Sequence, residues 1–142
     1  MTAAAARLFV ERGYEATSID DLVAATGLHR GSLYKAFGSK RGIFLAALSR
    51  LVRDELTSLP SRSEDLVAAD PLDLLLVAAL ELGPRDHEVR DLVRRGCALL
   101  AERTVDGQPC EPATLLGRRL LHRAGAHPLR LCSEEEGDRW PA

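Results

Sequence analysis

Glycine stands at positions 13, 27 and 38, each at the end of a short run whose apolar side chains recur at helical spacing. Glycine ends an α-helix at little steric cost because it accepts positive φ. The first part of the chain can therefore fold only as short helices joined by tight turns. Ala5, Leu8 and Phe9 share one face of a run from Thr2 to Arg12, with Gly13 placed as a left-handed cap. Ser18 opens the second run, with Asp21 three residues on completing a capping box, and Ile19, Leu22 and Val23 follow. A third covers Arg30–Phe37, with Leu33 and Phe37 at i,i+4. Ser39 then caps a fourth run from Lys40, whose stripe is Ile43, Phe44, Ala47, Leu48, Leu51 and Val52.

The remainder reads as further helices. Ser61 with Glu64 is placed to cap a short one. Asp70, Pro71 and Asp73 make a helix start, since proline is tolerated at the first position and the acids meet the helix dipole. That helix stops at Gly83-Pro84. The next begins near Asp86, carries Val89, Leu92, Val93, Gly96, Cys97 and Leu100 on one stripe, and ends before Gly107. Pro112 opens the last, with Ala113, Leu116, Gly117, Leu120, Leu121 and Ala124 on its stripe. There is no sustained period-2 alternation between hairpin turns and no internal repeat. The fold class is all-α: an N-terminal three-helix helix-turn-helix domain over 1–53, a short helical bundle over 54–125, and a flexible tail over 126–142.

The net charge of −2 hides a split. Residues 1–53 carry 8 basic and 4 acidic side chains, and residues 54–142 carry 11 and 17. From Leu22 to Arg53 there are 32 residues without Asp or Glu and with 6 Lys or Arg. Such asymmetry points to a polyanion partner for one half only. No apolar run approaches the roughly 18 residues a membrane span needs, and MTAAAARLF lacks the basic start of a secretory signal. Cys97, Cys110 and Cys132 are odd in number and lack C-x-x-C spacing, so they read as reduced thiols of a cytoplasmic protein. Cys110, His122, His127 and Cys132 fit zinc spacing only at the His pair, so no metal site and no cofactor are expected. No nucleophile stands beside a base, and no enzymatic activity is expected.

Two short helices joined by a glycine-containing turn form a helix-turn-helix, whose second helix enters the major groove of double-stranded DNA. With Leu33 and Phe37 inward and Leu28 in the turn, the other side of Arg30–Phe37 presents Arg30, Gly31, Ser32 and Lys35. Arg30 can donate two hydrogen bonds to a guanine, and Ser32 can pair with several bases. Gly31 allows close approach. Tyr34, Lys35 and Lys40 suit phosphates, as do Thr17 and Ser18 at a helix N-terminus.

The run GYEATSIDDLVAATGLHRGSLYKAFGSKRGIF resembles the DNA-binding domain of the tetracycline-repressor (TetR) family of bacterial transcriptional regulators. The matching residues are Phe9, Gly13-Tyr14, Thr17, Gly27, Gly31-Ser32-Leu33-Tyr34, Phe37 and Ser39-Lys40, and the resemblance covers about residues 3–50. It implies an all-helical homodimer on a palindromic operator, usually a repressor released by a small ligand. It also implies Thr17, Ser18, Tyr34 and Lys40 at phosphates, and Arg30, Gly31, Ser32 and Lys35 facing bases or the adjacent backbone. His29 departs from the family's usual Ser cap, and Ala36 from its usual His or aromatic. The part after the boundary is shorter than the family's ligand-binding domain.

Gly96 and Gly117, each inside an apolar stripe, suggest a close helix approach. The expected dimer interface is therefore Val89, Leu92, Val93, Gly96, Leu116, Gly117 and Leu120, with an intramolecular contact as the alternative. With no aromatic between Leu45 and Arg139, a small aliphatic effector is the expected ligand. A helical protein-interaction module that keeps the fold without operator binding is the second functional class open to this sequence.

Overall fold

The computed structural model describes residues 1–126. Residues 127–142 lie outside it, and with them His127, Cys132 and all but the first residue of the expected tail. The first three helices are α1 (Thr2–Arg12), α2 (Ile19–Thr26) and α3 (Arg30–Phe37), followed by α4 (Lys40–Arg50). The helix α4 runs on through a π-helical turn, Leu51–Glu55, and a 3₁₀ turn, Leu56–Ser58. Then come α5 (Ser63–Val67), α6 (Pro71–Val77) with its own π-helical extension Ala78–Leu82, and α7 (His87–Ala101). A two-stranded hairpin, β1 (Thr104–Val105) against β2 (Gln108–Pro109), precedes α8 (Pro112–Arg123).

Aromatic packing holds the N-terminal helices. Phe9 and Phe44 meet edge to face at 5.1 Å between centroids, and Tyr14 meets Phe44 the same way at 5.2 Å. Leu22 and Leu33 are fully enclosed beside them. The same core continues without a gap through Leu48, Leu51, Val52 and Leu56 into Leu72, Leu75, Ala78, Val89 and Leu100. Because α4 is continuous across the seam, the N-terminal head and the helices behind it are packed on one shaft.

Four expectations change here. The hairpin was not expected, yet it turns on Asp106-Gly107, whose φ values of 49° and 79° are those of a two-residue turn that favours this dipeptide. Its Asp106 carboxylate accepts the Ser63 N–H at 3.1 Å. The start of α5 is therefore served from the hairpin and not by Ser61. Asp73 lies in the first turn of α6 as expected and is also buried: only 4% exposed, it takes a bidentate pair from Arg119 on α8, both contacts at 2.6 Å. That pair turns α8 so that Leu115 and Arg119 face inward, while Ala113, Gly117, Leu120, Leu121 and Ala124 of the expected stripe face outward. Finally, Gly13 caps α1 with φ 84° and ψ 166°, a positive-φ but extended conformation and not the left-handed helical one.

The two thiols that are described, Cys97 and Cys110, are half-buried. Burial pushes both above the ordinary thiol range. No helix among the described residues is long and apolar enough to cross a membrane.

Candidate nucleic-acid interface

The site is built on two well-ended helices. Ser18 Oγ accepts the Asp21 N–H at 3.1 Å while the Asp21 carboxylate accepts the Ser18 N–H at 2.9 Å, which closes the expected capping box. Gly27 ends α2 in the left-handed conformation, φ 69° and ψ 11°. The chain turns through Leu28 and His29 and enters α3, with no side-chain cap from His29. Leu33 is buried and Phe37 half-buried, which anchors one side of α3. Arg30, Gly31, Ser32, Tyr34 and Lys35 are all exposed on its free side. A Cβ placed on Gly31 would meet no atom within 4 Å.

The structure separates the expected contact residues into two sets. Ser18 is exposed, with its hydroxyl engaged in the capping box. Thr17 is not a surface group: its side chain is 1% exposed and Oγ1 donates to the Gly13 carbonyl at 2.7 Å, tying the α1–α2 turn. Lys40 also turns inward. Its ammonium donates to the carbonyls of Tyr14 and Thr17, both at 3.0 Å, and lies 4.4 Å from the centre of the Tyr14 ring. These carbonyls and the ring answer the ammonium from the head side of the site. Thr17 and Lys40 thus frame the site and do not face it.

Charges of the acid-free run are engaged in the same way. Arg41 makes a bidentate pair with Asp86 at 2.6 and 3.0 Å and reaches Glu88 at 2.9 Å. Arg85 pairs with Glu15, and the Glu81 carboxylate accepts the Glu15 N–H at 3.0 Å. Glu81 packs against Gly13, where a Cβ would stand 2.6 Å from Oε1. Together these contacts fasten the α6–α7 connection to the head. Lys35 makes no ion pair among the described residues, and Arg30 is paired with Asp20. Sequence charge alone could not distinguish an exposed cation from one answered by an acid 45 residues away.

Hydrogen bonds from Arg41 pull the Asp86 carboxyl down to about 2 from its ordinary value of 3.8. A carboxyl depressed on folding stabilises the fold above its unfolded value and loses that contribution as pH falls through the folded one. The urea midpoint is therefore expected to fall between about pH 4 and pH 2, and Asp86→Asn to flatten that part of the profile. An identical acid limb in the variant would show that the pair does not form in solution.

Comparison with known proteins adds a family to this geometry. Residues 2–47 match the model of the bacterial regulatory proteins of the tetR family. Residues 2–47 are a tetR-family helix-turn-helix domain. Over 48 residues it is 50% identical to the HTH-type transcriptional repressor ComR of Escherichia coli (strain K12), a match covering 34% of this chain and 23% of that repressor. Over 96 residues the chain is 33% identical to the HTH-type transcriptional repressor BdcR of the same strain, covering 67% of this chain and 45% of BdcR. The chain thus spans less than half the length of these curated relatives. Among solved structures it resembles the TetR family transcriptional regulator PfmR from Thermus thermophilus, at 24% identity and a TM-score of 0.43, over 90% of this chain and 73% of that one. The tetR-family match ends inside α4, so the helices behind the head rest on their own geometry.

Proposed function

We propose that this chain is a sequence-specific DNA-binding transcriptional regulator, acting as a homodimer on a palindromic operator and released by a small ligand. The observation that carries the reading is the free side of α3 in a tetR-family domain. Arg30, Gly31, Ser32, Tyr34 and Lys35 are exposed, Arg30 while paired with Asp20, and there is open space above Gly31. Arg30, Ser32 and Lys35 would face bases or the adjacent backbone, and Tyr34 and Ser18 would face phosphate. Repressor activity is supported by the names of ComR and BdcR.

Support for a homodimer comes from α8. Its outward face carries Gly117, open on all sides, with Leu120 and Leu121 each 47% exposed and Leu116 half-buried. Val89 and Gly96 leave the expected interface because both are buried within the chain; a Cβ on Gly96 would stand 3.0 Å from Leu75 Cδ1. Leu92 and Val93 are half-buried and stay at its edge. Leu120→Glu is expected to convert the dimer to a monomer by sedimentation velocity, whereas a dimer that persists would remove α8 from the interface.

A cavity of about 520 Å³ between α1, α4 and α6 supports a ligand-responsive reading. Its aliphatic part is Ala3, Ala6, Val10, Ala47, Leu51 and Leu74, and its charged rim includes Arg7, Glu11, Arg50 and Asp73. It has no aromatic in its lining, which suits a small aliphatic effector. It sits at the seam between the head and the rear helices.

Selection of DNA from a random pool tests the whole reading. Each phosphate neutralised contributes about −0.9 to the log–log salt slope. Lys35→Ala should reduce the slope by about that amount per head, and Lys40→Ala should leave it unchanged while lowering stability. Arg30→Ala should relax one base position at a cost of about 1–3 kcal/mol. A folded chain that enriches no sequence and shifts no DNA at low salt would instead be a helical interaction module.

A further inference from the structure

His29 stands at the end of the turn that delivers the recognition helix, one residue before Arg30. Its side chain is exposed and makes no cap bond to α3, although a shorter polar side chain at this position would close the helix start. No hydrogen bond or ion pair engages the imidazole among the described residues. The charged groups of the two helices that it joins are answered elsewhere: on α2, Asp20 pairs with Arg30 and Asp21 holds Arg12 at 2.8 Å. On α3, Lys35 is the other charge and Tyr34 the other titratable group. Neither helix therefore offers a free carboxylate to an imidazolium beside it, and no further acid follows until Asp54. Of the chain's 4 histidines, His29 alone lies in the head.

We propose that His29 is a further DNA-contact residue, whose protonated imidazole donates to a backbone phosphate at the start of the recognition helix, so that operator affinity rises on acidification. This rests on the DNA-binding reading above. A recognition helix meets DNA with its N-terminal residues, so a side chain exposed one residue before Arg30 stands at the edge of the groove, where the phosphates lie. Histidine is the side chain that changes charge between about pH 5 and pH 8, a range over which lysine and arginine stay charged. Neutral, the imidazole offers a phosphate one ordinary donor. Charged, it makes a charge-assisted hydrogen bond and releases a counterion. With no free carboxylate on α2 or α3, the phosphate is the group that stabilises the charged form, so proton uptake and DNA binding favour each other. The contribution is present at the acid end of that range and is lost as pH rises. An exposed pair of this kind changes affinity by at most about fivefold per head. The number of phosphates neutralised by the head thus depends on pH through His29.

The test measures binding to the selected operator by fluorescence anisotropy, across a salt series at about pH 5.5 and about pH 8. The parent is expected to bind up to about fivefold tighter per head at the lower pH, with a log–log salt slope steeper by about 0.9 per head. His29→Gln keeps a hydrogen-bonding side chain without the charge, and should give one slope and one affinity at both pH values. His29→Lys should hold the steeper slope at both. Circular dichroism at each pH checks that α2 and α3 remain formed. A parent whose slope and affinity ignore pH would overturn the proposal. An acid gain that survives in His29→Gln would assign the proton to another group and overturn it too. A His29→Lys slope no steeper than that of His29→Gln would place the side chain away from phosphate, with the same consequence. Failure of the parent to bind any selected duplex at either pH would overturn the DNA-binding reading and this contact with it, and is distinguishable because the other outcomes require a bound operator.

Discussion

Replacing Arg119 with methionine is expected to lower the stability of the fold by about 3–5 kcal/mol, because it leaves the Asp73 carboxylate buried without its main partner. Asp73 and Arg119 are 4% and 5% exposed, and two contacts of 2.6 Å join them. Arg119 also donates to the Val67 carbonyl at 3.0 Å, so one guanidinium ties α5, α6 and α8 together. Arg123, 3.3 Å from the same carboxylate and 37% exposed, compensates only in part. Asp73→Leu should cost a similar amount by stranding the guanidinium. Against a total stability of roughly 5–15 kcal/mol, either change is large. The paired substitution Asp73→Leu with Arg119→Met should recover most of the loss, since a buried pair and an apolar pair of similar volume are often equivalent. Urea unfolding of the four proteins measures this. Single variants within about 1 kcal/mol of the parent would mean that water reaches the pair.

Gly31→Leu is expected to abolish specific DNA binding while leaving the fold intact. Nothing lies within 4 Å of a Cβ at this position, so the new side chain projects into solvent. Helix propensity alone predicts a gain of up to about 1 kcal/mol for the smaller change Gly31→Ala. On DNA the sign reverses. A side chain there holds α3 away from the base edges, and loss of even one base contact costs about 1–3 kcal/mol. A thermal melt and an anisotropy titration on the same samples should move in opposite directions. Unchanged affinity would show that the free side of α3 does not face the groove.

Local signals carried much of the architecture. The bounds of α1 and α3 follow from Gly13, Gly38 and the i,i+4 pair Leu33 and Phe37, and those of α2 from the Ser18–Asp21 box and Gly27. These depend on neighbours a few residues apart, and chain geometry fixes them. The outward placement of Arg30, Ser32 and Lys35 follows once Leu33 is known to be inside. The Asp106-Gly107 turn is equally local, but periodicity does not reveal its hairpin, because strands of two residues are too short to show alternation.

The other differences share one cause. Hydrophobic periodicity on α8 points to Leu116, Leu120 and Leu121 as the inner face, because it scores an arginine as outward. Arg119 is inside because Asp73, 46 residues earlier, meets it there. Lys40 faces inward because the carbonyls of Tyr14 and Thr17 converge on it, and Gly96 is buried because Leu56 and Leu75 close over it.

The sequence by itself determined where the first helices start and stop, which side of α3 is free, and the family of the head. Each follows from residue types within one or two turns of one another. Only the tertiary structure decided which charges remain unpaired on the surface. A guanidinium or ammonium looks the same in a sequence whether it faces water or a carboxylate brought from 45 residues away. Thus the acid-free run is not a uniformly cationic surface. Lys40 and Arg41 hold the head together, Asp20 holds Arg30, and Lys35 stands without an ion pair among the described residues.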